Sequence, residues 1–304
     1  MRCPELSELP DPPLGKSGWP WTTSTPQLQD ERLPKISIVT PSFNQGGFLE
    51  ETIRSILLQG YPNLEYIIID GGSTDNSIEI IRKYEKWISF WKSERDKGQS
   101  DAIQKGFNRV TGSVSAYLNS DDIYLQETLQ RVGRAFMSGN NPDVVYGNLY
   151  RIDPESRVTE EHRNTPFSKR GFLYGGFFLH QPSTFWKSEL IRSVGGFNPE
   201  FRFDMDNDLF YRMALADARF TFLHGFLAGF RVHPNSKTST ILNVSVQENE
   251  RIRKKYLKFP FNSVKGRILR NTTKAKRLYW YTVQGDLGWL SARALSRIFK
   301  TRGA

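Results

Sequence analysis

Cysteine is nearly absent from these 304 residues: there is one, Cys3, so no internal disulfide forms and a reducing compartment fits. Long apolar runs are missing as well. No stretch approaches the roughly 18 uninterrupted apolar residues of a membrane-spanning helix. The first residues carry acids and prolines, where a secretory leader would carry a basic stretch and then an apolar one. The reading is of a cytoplasmic protein. Acids are scarce at one end: residues 251–304 hold fifteen Lys/Arg against one acid, Asp286. The net charge of +10 therefore belongs to the tail and not to the body. No nucleic-acid recognition motif accompanies it, so no specific nucleic-acid partner is expected.

What is present organises the chain into three parts. Residues 1–34 contain seven prolines and few aliphatics, and read as an irregular arm pinned by Trp19 and Trp21. Gly15-Lys16-Ser17 looks like the end of a phosphate loop, but Pro10 stands where that motif needs its first glycine. From residue 35, apolar β-branched runs at 36–40, 64–69, 114–118 and 143–150 alternate with helical spacings. That alternation predicts an α/β fold, a mostly parallel sheet flanked by helices. The body spans 35–256, with a first half at 35–150. After 150 come short strands and aromatic patches, a helix near 208–216 and a strand-like run at 219–232. A basic helical tail follows at 257–304, in which Trp289, Leu290, Ala294, Ile298 and Phe299 keep near-helical spacing with Arg293, Arg297 and Lys300 interleaved. That pattern fits a helix lying on an anionic membrane surface, with a solvated appendage or a subunit contact as alternatives.

Ligands of an open parallel sheet bind beyond the carboxyl ends of its strands. Three loops there are polar or acidic: Thr40-Pro41-Ser42-Phe43-Asn44, Asp70 to Asp75, and Asn119-Ser120-Asp121-Asp122. Asp75 alone reads equally well as a helix cap. The adjacent carboxylates of Asp121 and Asp122 repel each other at the mouth of a buried strand unless a cation or donors compensate. Oxygen ligands suit Mg2+ or Mn2+, which share their shell with substrate phosphates. The plainer alternative is that one of the two caps a helix near Gln126.

Thr-Pro-Ser-Phe-Asn at 40–44, Ile-Asp-Gly-Gly-Ser-Thr-Asp at 69–75, Asp-Lys-Gly-Gln-Ser-Asp-Ala at 96–102 and Leu-Asn-Ser-Asp-Asp at 118–122 resemble, in order and spacing, the family 2 glycosyltransferases of GT-A (Rossmann-like) fold. The resemblance covers about 35–240. It implies a nucleotide-sugar half at 35–150 and an acceptor half at 151–256. It implies that Thr40, Pro41, Ser42, Phe43 and Asn44 line the nucleotide, that Asp70 binds the base, and that Lys97, Gln99 and Asp101 lie near the ribose or diphosphate. Asn119 and Asp121 would fill the family's Asp-x-Asp metal motif, with Asp121 the ligand, Asp122 beside it and His233 a further ligand to Mn2+ or Mg2+. Asp206, in Asp204-Met205-Asp206-Asn207-Asp208, would be the catalytic base. His180, Gln181 and Trp186, with Asp208, would face the acceptor, while Phe185 reads as core. Three departures stand out: Asn119 where many relatives have Asp, Met205 where an acid is usual, and Ile103 where many carry an arginine toward the phosphates, leaving Lys97 or Lys105 to substitute.

The resemblance implies an inverting transfer from a UDP-, GDP- or dTDP-linked sugar to a saccharide or lipid-linked acceptor, in cell-surface polysaccharide or glycolipid synthesis. Lipid-linked acceptors would place the protein at the inner membrane face. A nucleotidyltransferase on a similar sheet would need a glycine-rich basic loop after the first strand, which Pro41-Ser42-Phe43-Asn44 does not offer. A nucleotide-sugar-binding protein without transferase activity is the other reading, and Asn119, Ile103 and Met205 are its support.

Overall fold

The computed structural model describes residues 1–304 except 176, 178, 235, 238–241, 287 and 292–304. They fall into two compact units, one of 1–164 with 179–252 and one of 165–178 with the chain from 253 onward. Strands β1 (Ile36–Ser42), β2 (Leu64–Asp70), β3 (Phe90–Ser93), β4 (Val114–Tyr117), β5 (Ile123–Tyr124), β6 (Val144–Ile152), β7 (Val158–His162), β8 (Thr184–Lys187) and β9 (Phe220–Arg231) form one sheet in the first unit. Its order is β3-β2-β1-β4-β8-β6-β9-β5, with β7 on β6. The helices are α1 (Gly46–Leu57), α2 (Ser77–Tyr84), α3 (Gln99–Phe107), α4 (Thr128–Phe136), α5 (Lys169–Tyr174), α6 (Ser188–Ser193), α7 (Met205–Leu215), α8 (Leu242–Tyr256) and α9 (Val264–Val283).

The four strands β3, β2, β1 and β4 run parallel, and β6 and β9 run the same way. Strand β8 is inserted antiparallel between β4 and β6. Every residue of β1 and β2 is buried, because helices cover both faces. This is why those strands read as near-continuous apolar runs in the sequence, broken at Ser37 and Glu65. Register does the rest. Ser42 pairs with Asp70 and Val39 with Tyr117, and the Leu118 amide donates to the Val39 carbonyl at 2.9 Å. The loops after β1, β2 and β4 therefore leave the sheet side by side. The predicted strands all appear, each within two residues of its expected bounds; the predicted helix at 208–216 begins earlier, at Met205.

The N-terminal arm is irregular apart from one 3-10 turn at Leu6–Glu8, and it is bolted to α1 by an arginine. Arg54 is 1% exposed and donates to the carbonyls of Pro10, Pro20 and Trp21 and to the Tyr84 hydroxyl, at 2.8–3.0 Å. Trp21 is buried under that guanidinium, and the Trp19 indole donates to the Tyr124 carbonyl at 2.8 Å. Gly60 follows α1 at φ +58, where a side chain would meet the Pro26 carbonyl at 2.2 Å, so both conformation and space require glycine.

In the second unit α5 packs on α9. The Ser168 and Ser263 hydroxyls cap the two helices by accepting from the Gly171 and Gly266 amides. The Thr273 methyl occupies the space that side chains at Gly171 and Gly175 would fill. Of the expected tail helix at 289–300, Trp289 and Leu290 are described and helical, whereas Arg293, Ala294, Arg297, Ile298, Phe299 and Lys300 lie outside the described residues.

An Arg54→Met substitution keeps the buried bulk but strips donors from three carbonyls. It should lower the unfolding free energy by about 3 kcal/mol in urea titration. A change under about 0.5 kcal/mol would mean that the arm is not held by this side chain.

Candidate active site

The loops at the carboxyl edge are stitched to one another. The Asn44 residue, at φ +51, accepts from the Thr74 amide at 2.8 Å, and its own amide donates to the Ser73 hydroxyl at 2.8 Å. Asp75 accepts from the Gly46 and Ser77 amides at 2.9 and 3.0 Å, so one carboxylate holds the starts of both α1 and α2. Burial would raise its carboxyl, but the hydrogen bonds from Ser77 and Gly46 outweigh this and hold it below the usual range. Asp70 is fully buried. It accepts from the Gly72 and Ser73 amides and from the hydroxyls of Ser73 and Ser93, at 2.5–3.0 Å, and so shapes the Gly71–Ser73 turn. Thr40 and Pro41 are buried too, Thr40 accepting from the Tyr66 hydroxyl at 3.2 Å. Of this group Phe43 and Asn44 reach the surface, and Phe43 is 58% exposed. A side chain on Gly71 would strike Asp96 at 2.8 Å and the Phe43 ring at 3.3 Å, so the absence of one leaves a slot beside an exposed aromatic face. The Ser42 hydroxyl, buried at the end of β1, has no hydrogen-bond partner among the described residues.

The two adjacent acids after β4 differ in environment. Asp122 is fully buried and accepts from the Arg231 amide at 2.9 Å and the Asn119 side chain at 3.3 Å. Burial first, and then the neighbouring Asp121, push its carboxyl well above the ordinary range. Asp121 remains partly exposed, with one carboxylate oxygen 3.1 Å from His233 Nε2. The helix near 126 is α4, which starts at Thr128, and neither acid caps it. The Phe48 ring lies against His233, with centroids 4.8 Å apart. Behind both acids sits Arg231, 0% exposed. It donates to the carbonyls of Asp121, Asp153 and Pro154 and to the Ser156 hydroxyl, and it pairs with Glu51 of α1 at 3.0 Å.

A polar chain crosses the site. The Gln99 amide, at the start of α3, donates to Asn119 Oδ1 at 2.5 Å and accepts from Lys237 Nζ at 2.6 Å; Lys237 also donates to the Arg202 carbonyl at 3.0 Å. The acidic loop, the α3 N-terminus, the segment after His233 and the approach to α7 are thus linked end to end. Lys97 is exposed, and its amide donates to Asp101 at 3.1 Å. That amide and the Lys105 ammonium hold the Asp101 carboxyl low. Lys105 is engaged with Asp101 and Glu94, at 3.2 and 3.4 Å.

The three aspartates around the start of α7 have three separate placements. Asp204 accepts from Ser245 and Asn249 of α8 at 3.0 and 2.8 Å; burial, with Asp206 adding, raises it to about 7. Asp208 is fully buried and paired with Arg212 at 2.8 Å, so it packs the helix and presents no surface to an acceptor. Asp206 is half-buried at the first turn and accepts from the Asn207 amide. Burial pushes it up to about 6, against the lowering effect of that amide and of Lys237. The buried Tyr117 phenol, at the end of β4, is raised by burial and then by the charges of Asp206 and Asp122. Ser100 of α3 donates to the Phe201 carbonyl at 2.7 Å and keeps α3 against this segment.

Most of the expected acceptor residues are buried. Trp186 is 0% exposed and packs among Phe107, Tyr117, Phe197 and Phe210; it is core, as is Phe185, and offers no face to a sugar. Gln181 is buried and donates to the Tyr117 carbonyl at 2.5 Å. His180 is half-buried, edge-on to His162 with centroids 4.9 Å apart.

Residues 37–210, more than half of the chain, match the sequence profile of glycosyl transferase family 2. The chain belongs to that family. It is 29% identical over 184 residues to an uncharacterized glycosyltransferase of Mycobacterium tuberculosis, covering 60% of this chain and 70% of the relative. It is 36% identical over 101 residues to TuaG, a putative teichuronic acid biosynthesis glycosyltransferase of Bacillus subtilis, covering 32% of this chain and 40% of TuaG. The fold is that of TarS from S. aureus: residues 1–349 of TarS in complex with UDP-GlcNAc superpose with a TM-score of 0.56 at 17% identity, over 68% of this chain and 61% of that one. A longer TarS chain is covered to 39%. Mannosyltransferase PcManGT of Pyrobaculum calidifontis, in complex with GDP-Man and Mn2+, superposes with a TM-score of 0.54 at 15% identity, over 91% of this chain and 82% of that one.

Several residues of this family member's site carry little sequence signal. Arg231 shows as a lone cation inside an apolar strand run, which could have flagged it. Lys237 follows His233 by four residues but stands in no motif. Glu248 shows nothing. Its carboxylate, reaching from α8, accepts from the amides of Arg202, Phe203 and Asp204 at 2.8–2.9 Å and so holds the turn that leads into α7. Glu248→Ala should lower the unfolding free energy by about 1–2 kcal/mol, with amide exchange protection lost selectively at 202–204. Unchanged protection there would show that this turn holds without it.

Proposed function

We propose that this chain is an inverting transferase that moves a sugar from a nucleoside-diphosphate sugar to an acceptor hydroxyl, with Asp206 as base and a divalent cation at Asp121 and His233. The observation that carries the reading is the continuous link Asn119–Gln99–Lys237–Arg202, which ties the acidic loop after β4 to the segment bearing Asp206. The complexes of TarS with UDP-GlcNAc and of PcManGT with GDP-Man support a nucleotide-sugar donor. The likeness to TuaG, a putative teichuronic acid biosynthesis glycosyltransferase, supports a role in cell-surface polysaccharide synthesis; in the proposal a saccharide or lipid-linked acceptor lies against the half at 151–256.

In this reading the base stacks on the exposed Phe43 ring above Gly71, and Asp70 serves by holding the turn beneath it. The diphosphate lies at the N-terminus of α3, where backbone amides and the helix dipole favour anions. Lys237, beside Gln99, supplies a cation there together with the exposed Lys97, whereas Lys105 is engaged by Asp101 and Glu94. The carboxylate of Asp121 and the ring nitrogen of His233, 3.1 Å apart, fit a cation that takes the rest of its shell from diphosphate oxygens and water. Mn2+ or Mg2+ bound there would stabilise the charge that builds on the leaving diphosphate. Asp122 and Arg231 hold Asp121 in place from behind. Asp206 takes the proton of the acceptor hydroxyl as that oxygen attacks the sugar from the side opposite the diphosphate, so one displacement inverts the anomeric centre. Asn119, whose amide oxygen is occupied by Gln99, favours the second reading, donor binding without transfer.

Asp206→Asn should cut turnover by about 10²–10⁴-fold while the donor dissociation constant stays within about twofold. Turnover within a few-fold of the parent would remove Asp206 from this role. A carboxyl raised to about 6 accepts a proton only when ionised, so kcat/KM should climb as pH rises through about 6 and level above 7. A profile flat from pH 5 to 8 would contradict the assignment. Absence of Mn2+-dependent hydrolysis across UDP-, GDP- and dTDP-sugars would favour binding without transfer.

A further inference from the structure

Helix α9 carries a stripe of exposed, uncharged residues at Val264, Ile268, Asn271, Ala275, Leu278, Tyr279 and Thr282. Their spacing of three and four puts them on one face. Val264, Ile268, Leu278 and Tyr279 are 56–66% exposed. The opposite face, with Gly266, Thr273 and Tyr281, is the one that packs. Two arginines are turned toward that packed side, Arg270 lying 4.5 Å from the Phe261 ring centroid and Arg277 5.9 Å from that of Tyr281. The exposed cations flank the stripe, Lys265 and Lys276 along one border and Arg267 and Lys274 along the other. The helix contains no acid, and Asp286, the one acid of residues 251–304, is buried. This arrangement inverts that of an ordinary surface helix, which turns its apolar stripe inward.

We propose that α9 is an interfacial helix that lays its outward stripe into an anionic lipid surface. Apolar side chains enter the acyl boundary, Tyr279 sits at headgroup level, and the four flanking cations extend along their stems to lipid phosphates. Charge selects the occupant: a second copy of the same face would set four more cations against these four, whereas an anionic bilayer supplies the missing negative charge. No helix among the described residues is long and apolar enough to cross a membrane, so the contact lies in the plane of the surface. The inference stands apart from the transfer reaction. It also locates the membrane contact at 264–283, ahead of the stretch at 289–300 that the sequence pointed to.

The full chain should co-sediment with equimolar phosphatidylcholine–phosphatidylglycerol vesicles at least about tenfold more tightly than with phosphatidylcholine alone, and less tightly as salt rises. The double variant Ile268→Glu/Leu278→Glu should weaken that binding by about a hundredfold or more, and Lys265→Glu/Lys276→Glu by about tenfold or more. Ile268→Leu/Leu278→Ile should bind as the parent does. Both glutamate variants should keep the parent's circular dichroism and donor hydrolysis, since every substituted position is exposed; loss of hydrolysis in the parent itself would bear on the transferase reading and not on this one. Equal binding to neutral vesicles, or undiminished binding by Ile268→Glu/Leu278→Glu, would overturn the proposal. So would a lipid-free dimer that the same variant dissociates, because the face would then be a contact between copies.

Discussion

One buried arginine fixes the geometry on which the candidate site depends. Arg231 ends β9 with no exposure to water, so each of its donors must find an acceptor inside the protein. It finds them on three separate elements: the Asp121 carbonyl in the loop after β4, the carbonyls of Asp153 and Pro154 after β6, and Glu51 on α1. Its amide takes the Asp122 carboxylate as well. A buried pair such as Arg231–Glu51 adds little to stability beyond what an apolar pair of equal volume would give. What it contributes is orientation. With Asp122 held behind, Asp121 faces outward, and β9 delivers His233 two residues later to the same spot.

A similar economy separates the other acids. A carboxylate that accepts several hydrogen bonds is spent, as Asp70 and Asp75 are spent on their turns. Asp208 is neutralised within one helix turn by Arg212, and Asp204 is held by α8. Asp206 alone of the α7 group is left half-open, raised by burial and close to Lys237. The arrangement concentrates unspent acidity at Asp121 and Asp206, one on each side of the polar chain through Gln99.

The sequence showed the strands and their polar ends clearly, for a physical reason. Strands covered on both faces are apolar almost throughout, so the clusters of polar residues around Asp70 and Asn119 mark their ends, while isolated ones such as Ser37 and Glu65 do not. It could not show which side chains at those ends turn inward. Asp121 and Asp122 are chemically identical neighbours, and their burial is decided by Arg231, more than a hundred residues away. Trp186 was expected to face the acceptor on the strength of the family resemblance, which carries no information on burial; four other rings enclose it. Glu248 was invisible since its partners are backbone amides, which have no sequence. The outward stripe of α9 escaped notice because its apolar residues alternate with threonine, asparagine and lysine, which dilute any hydropathy signal. The packing of α5 against α9, between segments about a hundred residues apart, leaves only small residues as its trace.

The central claim is that Asp121 and His233 jointly hold a cation that grips a diphosphate. Electron paramagnetic resonance of Mn2+ titrated into the protein, with and without UDP or GDP, tests it without any need for the acceptor. The account predicts tight Mn2+ binding only when a nucleoside diphosphate is present, weakened by about 10–100-fold or more in both Asp121→Ala and His233→Ala. Mn2+ binding that ignores the nucleotide, or that survives both substitutions unchanged, would contradict it.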